Sequence, residues 1–252
     1  MTSALGDRST ADLSVAIVVP ARNEAERLGA SLARLRADFP CCELVVVDGD
    51  SEDDTAAVAA SFARVLTCEP GRGRQMNKGA ATTASDVLWF VHADVVIDPG
   101  ALTELRAALC DPEVVGGGLS LRFDQRSLGL DYLAWSSTQR ARHLHQIFGD
   151  QSMFVRRSAF EAVGGFPEIA LMEDLELCRR LRQLGRLVVL GATSTASARR
   201  FAEHGTWSMI AFMQYLKVLF YIGVSPSAIA ARYAAGPIWT RRTRRRPTWE
   251  AA

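Results

Sequence analysis

Four short runs of β-branched and apolar residues alternate with longer stretches of helical pattern, and this alternation limits the folds open to the chain more than any other feature. The runs are LSVAIVV (13–19), ELVVVD (43–48), ARVLTC (63–68) and DVLWFVHAD (86–94). A strand that is apolar throughout must be covered on both faces, and strands of this kind separated by helices do so as a parallel sheet with helices above and below. The first half, 13–111, therefore reads as an α/β layer of the nucleotide-binding type. Beyond Pro112 the pattern changes to VVGGGLSLRF (114–123), a helix around 128–147, QSMFVRR (151–157), a helix from about 173 to 184, and two short strands near 186–198. This second half, 112–235, is mixed and suited to carrying substrate selectivity. The expected fold class is α/β, a mostly parallel central sheet flanked by helices, with a mixed second half and a C-terminal apolar helix. One domain is expected over 13–235, between a flexible tail at 1–12 and a basic tail at 236–252.

Composition supports a folded enzyme-sized domain and narrows its partners. The 252 residues are 48% hydrophobic and 23% charged, enough to bury a full core. Lys plus Arg is 29 against 28 for Asp plus Glu, a formal net charge of +1, so no global electrostatic attraction to nucleic acid is expected. The five cysteines form no C-x-x-C pair and sit in or beside apolar segments, which reads as reduced thiols and a cytoplasmic protein. Residues 1–12 carry no apolar stretch of signal-peptide type.

In an open parallel sheet, ligands bind beyond the carboxyl ends of the strands, and here those ends are all polar. Strand one runs into PARNEAE (20–26), strand two into DGDSEDDT (48–55), with Asp48 and Asp50, and strand four into HAD (92–94). Between the last two lies EPGRGRQMNKGA (69–80), a glycine-rich turn with Arg72, Arg74 and Lys78 leading into a helix. Each piece alone has a plainer reading. DSEDDT fits a helix start whose Ser and Asp cap free N–H groups, GRGRQMNKGA fits a solvated basic turn, and Asp94 could cap the helix after Pro99. Together, on one edge of one sheet, they fit a nucleoside diphosphate: carboxylates for base or ribose, cations for the diphosphate, and Asp94 for a divalent cation. With that diphosphate as leaving group, Mg²⁺ or Mn²⁺ would act as the Lewis acid.

At this point the motifs VVPARNE, VVVDGDSEDDT, FVHAD and FPEIALMEDLELCRRL resemble those of family-two glycosyltransferases with the GT-A (Rossmann-like) fold, over roughly residues 13–235. GRGRQMNKGA, HAD, GDQSMFVRR, SARRFAEHGTW and GVSP resemble the small bacterial branch labelled arsenosugar-biosynthesis glycosyltransferases. The resemblance implies an inverting, metal-dependent transferase that takes a nucleotide-sugar donor, by expectation a UDP-sugar, and an unspecified acceptor. It places Pro20, Arg22 and Glu24 in the nucleoside pocket, Asp48 on the base, and Arg72 with its basic neighbours Arg74 and Lys78 near the diphosphate. Asp94 matches the metal-binding Asp of the family's D-x-D motif, and His92 stands where the first Asp would be, on the donor side. The family's E-D motif makes Asp174 the general base, with Glu173 orienting the acceptor or an arginine; plain helix-start electrostatics is the competing reading. His204, in RRFAEHGTW, is a candidate third metal ligand or a solvated surface histidine. A nucleotidyltransferase, or a silent nucleotide-sugar-binding protein, are the alternative functions.

Near the C-terminus, WSMIAFMQYLKVLFYIGV (207–224) is apolar but interrupted by Gln214 and Lys217, and it barely reaches the ~17 residues needed to span a bilayer. It reads as a helix packed in the core or at a homodimer interface, with peripheral membrane contact as a further reading. Five arginines between Arg241 and Arg246 offer a second membrane contact, or a solvated tail.

Overall fold

A computed structural model describes residues 13–237. Its strands are β1 (Val15–Ala21), β2 (Glu43–Asp48), β3 (Arg64–Thr67), β4 (Val87–Phe90), β5 (Val95–Ile97), β6 (Val114–Phe123), β7 (Phe154–Arg156) and β8 (Arg186–Ala196). They form one eight-stranded sheet in the order β3-β2-β1-β4-β7-β6-β8-β5. The sequentially early strands β3, β2, β1 and β4 run parallel, while β7 joins β4 and β6 antiparallel, β6 and β8 are parallel, and β5 closes the far edge antiparallel to β8. The mostly parallel sheet and the mixed second half are thus both present.

Helices cover each face of the sheet in turn. On one side Leu28, Leu32 and Leu35 of α1 (Ala25–Asp38) and Leu102 and Leu105 of α4 (Ala101–Ala108) pack with Ile17, Val19, Leu44, Val46 and Trp89. The alternate strand residues Ala16, Val18, Val45, Val47, Leu88 and Phe90 point to the other side. There they meet Met76 and Ala80 of α3 (Arg72–Ala81), Phe160 of α6 (Arg157–Ala162) and Leu177, Cys178 and Leu181 of α7 (Glu173–Leu181). The 3.6-residue period of the helices and the two-residue period of the strands meet at this double core, and each large side chain buried there contributes about 1.5–3 kcal/mol. Two short or polar helices, α2 (Thr55–Ala60) and α5 (Leu128–Leu144), complete this part of the fold.

The second half departs from the sequence expectation in two places. The two short strands expected near 186–198 are one strand, β8, and its irregularity is a bulge rather than an end. Its register against β6 shifts between Gly118 and Ser120, and the N–H groups of Gly191 and Ala192 donate to the Glu104 carboxylate instead. The run DVLWFVHAD is also shorter than expected as a strand. β4 ends at Phe90, the chain turns through His92 and Asp94, and Val95 starts β5.

The described chain divides after Ser197 into two compact units. The second contains α8 (Arg199–His204), α9 (Thr206–Tyr221) and α10 (Pro226–Ala235). On α9 only Met209, Phe212 and Leu216 are buried, while Trp207, Tyr215, Val218 and Tyr221 are exposed, so it is a helix with one buried stripe rather than a core helix. No described helix is long and apolar enough to cross a membrane. Arg241–Arg246 lie outside the described residues. All five cysteines are free thiols.

Candidate active site

The carboxyl ends of β1 and β2 are fastened to each other before any ligand is considered. Asn23, at φ 53°, donates its backbone N–H to Ser51 Oγ at 2.9 Å, and its side chain accepts from the Glu52 N–H at 2.9 Å. Glu24 N–H donates to Thr55 Oγ1 (2.8 Å), and Ala25 N–H to Asp53 (3.1 Å). Asp53 also accepts from the Thr55 N–H and hydroxyl, which hold its carboxyl below the usual range, so in DSEDDT it does the capping work the plainer reading assigned. Gln75, buried on α3, donates to the carbonyls of Ala21 (2.9 Å) and Val47 (2.8 Å) and locks the helix beneath both strand ends. Sequence reasoning passed over Asn23, Ser51, Thr55 and Gln75. A lone Gln beside Met76, Gly79 and Ala80 on an apolar helix face was the available signal.

This frame places the expected donor residues in different settings. Pro20 is buried in β1, two residues beyond Val18, the last residue of β1 paired with β4. Arg22 is exposed and Glu24 half-buried. Asp48 is buried at the tip of β2, where its carboxylate accepts from the Ser51 N–H (3.1 Å) and hydroxyl. Asp50 follows in the left-handed region at φ 59° and is exposed. The basic turn does not act as a unit. Arg74 is engaged by Glu69 and Glu168, and Lys78 donates back to the Thr67 carbonyl at 2.7 Å. Of the three cations, Arg72, the first residue of α3, is the one directed at the acidic start of α7, 3.7 Å from Glu173.

The start of α7 is the most unusual electrostatic feature of the fold. Glu173 and Asp174 are adjacent carboxyls, 2% and 5% exposed. Burial, the neighbouring Glu173 charge and Asp150 push Asp174 up to about 8, against Arg72 and a hydrogen bond from the Gly149 N–H at 2.9 Å. Burial also raises Glu173, opposed by Arg72. Like charges packed together without water are costly, and such pairs collect where proton transfer is needed. His92 reaches the same place from the end of β4. Its Nε2 is sealed from solvent without a hydrogen-bond partner, and burial and Arg72 lower its pKa to about 4 while Asp94 opposes the shift.

Asp94 is exposed on the turn after His92, and it does not cap the following helix, because Asp98 takes the Gly100 N–H at 2.9 Å instead. A cavity of about 410 Å³ opens beside it between α1 and β5, lined in part by Arg27, Arg34 and Asp124. Among the described residues no group of three or more His, Cys, Asp or Glu is arranged to hold a metal ion. A cation held by one exposed carboxylate plus diphosphate oxygens needs no such cage, and Asp94 fits that kind of site. His204 ends α8 in the second unit, near Gly236. His145 is the C-cap of α5, in the left-handed conformation, with Nδ1 3.2 Å from the Leu187 carbonyl.

With this geometry in view, residues 16–164 match the family described as Glycosyl transferase family 2. The chain belongs to glycosyltransferase family 2. Among this family 2 chain's relatives, an uncharacterized glycosyltransferase of Mycobacterium bovis is 36% identical over 98 residues, 38% of this chain and 44% of that protein. The chain spans less than half the length of the first curated relatives it matches, 33% and 44%. A mannosyltransferase from Pyrobaculum calidifontis, solved with GDP-Man and Mn²⁺, superposes with a TM-score of 0.63 at 17% identity, covering 87% of this chain and 67% of that one. Glucosyl-3-phosphoglycerate synthase from Mycobacterium tuberculosis, solved with Mn²⁺, UDP and glucosyl-3-phosphoglycerate, gives 0.53 at 20% identity, covering 75% and 73%. The family 2 chain therefore has the GT-A type of α/β fold.

Proposed function

We propose that this chain transfers a sugar from a nucleoside-diphosphate sugar to a nucleophilic acceptor, with inversion at the sugar carbon. The observation that carries the reading is the buried Glu173–Asp174 pair facing Arg72 at the carboxyl edge of the sheet, beside His92. Binding alone gives no reason to bury two adjacent carboxyls against a cation; proton transfer does. In the proposed step the acceptor heteroatom bonds to the anomeric carbon, the bond from that carbon to the diphosphate oxygen breaks, and the diphosphate leaves with the electron pair. Asp174 takes the acceptor's proton, Glu173 holds Arg72, and Arg72 faces the departing diphosphate. A Mg²⁺ or Mn²⁺ ion bound by Asp94 and diphosphate oxygens would neutralise charge on the leaving group. Pro20, Arg22 and Glu24 line the nucleoside side.

Asp48 bears on the base. Its carboxylate accepts two hydrogen bonds from Ser51 and has lone pairs left for a donor. An imide N–H of uracil supplies one, guanine also has a ring N–H, and the matching ring nitrogen of cytosine is an acceptor that would repel it. Uridine is therefore the first expectation and cytidine the last. The GDQSMFVRR and GRGRQMNKGA motifs support placement in the branch labelled arsenosugar biosynthesis. Family membership favours glycosyl over nucleotidyl transfer. A thermal-shift series with UDP, GDP, CDP and their sugars, with and without Mn²⁺, tests the reading, since a ligand that binds only the folded state raises its stability. A uridine or guanosine sugar that stabilises the chain and is consumed with release of its nucleoside diphosphate supports it; no stabilisation by any of them rejects it.

A further inference from the structure

We infer that Gly149 is a positioning residue for the transfer step, holding the base in register with the nucleotide side of the site; this rests on the reading of Asp174 as base. Gly149 opens a short turn, Gly149–Gln151, on the way into β7. It is not among the residues with positive φ, so glycine is not required there for its backbone freedom. It is required for space. A Cβ at this position would lie 2.1 Å from His92 Cε1 and 2.3 Å from Nε2, so the imidazole rests directly on the Gly149 backbone. The N–H of the same residue donates to Asp174 Oδ2 at 2.9 Å. One backbone unit thus touches His92 on the donor side and Asp174 on the acceptor side.

The turn that carries Gly149 has little freedom to give way. Gln151, buried, donates to the Leu119 carbonyl of β6 (3.2 Å), and Trp89 Nε1 of β4 donates to the Ser152 carbonyl (3.0 Å). Ser194 of β8 donates to the Asp150 carbonyl (2.7 Å) and lies 3.0 Å from the Ser152 hydroxyl. Three strands therefore grip residues 150–152. The His92 ring, whose Nε2 has no hydrogen bond, has no polar contact there to set its orientation, and packing against Gly149 does so instead. A methyl group at 149 must displace either the ring or the N–H that holds Asp174. A displacement of about 1 Å in a reacting group costs on the order of 10²-fold in rate.

Single-turnover transfer by Gly149→Ala, placed in the wild-type, His92→Ala and Asp174→Asn backgrounds, tests the inference. In the wild type the substitution should lower kcat by on the order of 10²-fold with a smaller change in KM. With His92 truncated the methyl has room, and with Asp174 replaced there is no base to misplace, so in each of those backgrounds the further cost should be at most about twofold. An equal cost in all three backgrounds overturns the inference. If Asp174→Asn alone leaves transfer unchanged, the base reading has failed; if it lowers transfer but does not couple to Gly149, the positioning inference alone has failed. Should Gly149→Ala not fold, the Gly149→Ala/His92→Ala pair decides. Folding, with transfer at the His92→Ala level, upholds the inference, and failure to fold or to reach that level overturns it.

Discussion

Asp174 carries the largest burden of any single residue, and its two roles have opposite signatures. As a first-turn residue it would stabilise α7 through the helix dipole, and Asp174→Asn would cost about 0.3–1 kcal/mol of stability with turnover per folded molecule unchanged. As a buried base, it keeps its proton in the folded chain up to about 8, at pH values where the unfolded chain has lost it. The folded state then binds more protons than the unfolded one, and stability falls as pH rises from the ordinary carboxylate range toward that value. Replacement by Asn removes this penalty, so melting temperatures measured from pH 4 to 8 should show the variant gaining on the wild type as pH rises. Transfer should drop by on the order of 10²- to 10⁴-fold. The wild-type kcat/KM should climb with pH through the same window as Asp174 ionises, and a flat profile would argue against it. Asp94 differs in being exposed, so Asp94→Asn should leave melting unchanged. Even the outer partners of metal ligands are worth 10- to 100-fold in metal affinity, so Mn²⁺-dependent nucleotide binding should weaken by at least about tenfold. Equal Mn²⁺ dependence in calorimetric titrations of variant and wild type would remove Asp94 from the metal site.

At the level of elements, the site depends on how closely α3 lies against β1 and β2. Gly79 makes that approach; a Cβ there would fall 2.3 Å from Val18 Cγ1 and 3.1 Å from Val47 Cγ2. Gly79→Ala should cost about 1–3 kcal/mol in urea unfolding through overpacking, and should also weaken nucleotide binding because Arg72 and Gln75 ride on the same helix. An unchanged unfolding midpoint would show that the helix can shift freely. The strands and helices of the first half were legible because their periods are strong: VAIVVPA and LVVVD cannot be half-exposed, and Leu28, Leu32 and Leu35 mark one face of α1. The second half was less so. GATST in β8 reads as a break because Gly191 interrupts the apolar run, yet the bulge there is satisfied by Glu104, 87 positions away in sequence. The roles within GRGRQMNKGA were hidden for the same reason. Nothing local in the sequence says that Arg74 will meet Glu168 or that Gln75 will tie two strand ends, since both depend on partners brought in by the fold. Gly149 was visible only as a letter in GDQS, because its importance lies in the ring packed against it.

Across the whole molecule, the first compact unit contains the sheet, the stitched loops, Asp94, His92 and the Glu173–Asp174 pair, and with them all the residues to which the proposed transfer step gives a role. The exposed aromatics Trp207, Tyr215 and Tyr221 of α9 belong to the second unit. The central claim is that the carboxyl edge of the sheet binds a nucleoside diphosphate with a divalent cation at Asp94. Calorimetric titration of UDP, GDP and CDP in the presence and absence of Mn²⁺ measures it most directly. The proposed roles of Asp94 and Asp48 predict Mn²⁺-dependent binding, with UDP tightest and CDP weakest. Binding indifferent to Mn²⁺, or CDP tighter than UDP, would contradict the assignment of Asp94 or of Asp48 respectively, and no binding of any of the three would contradict the claim itself.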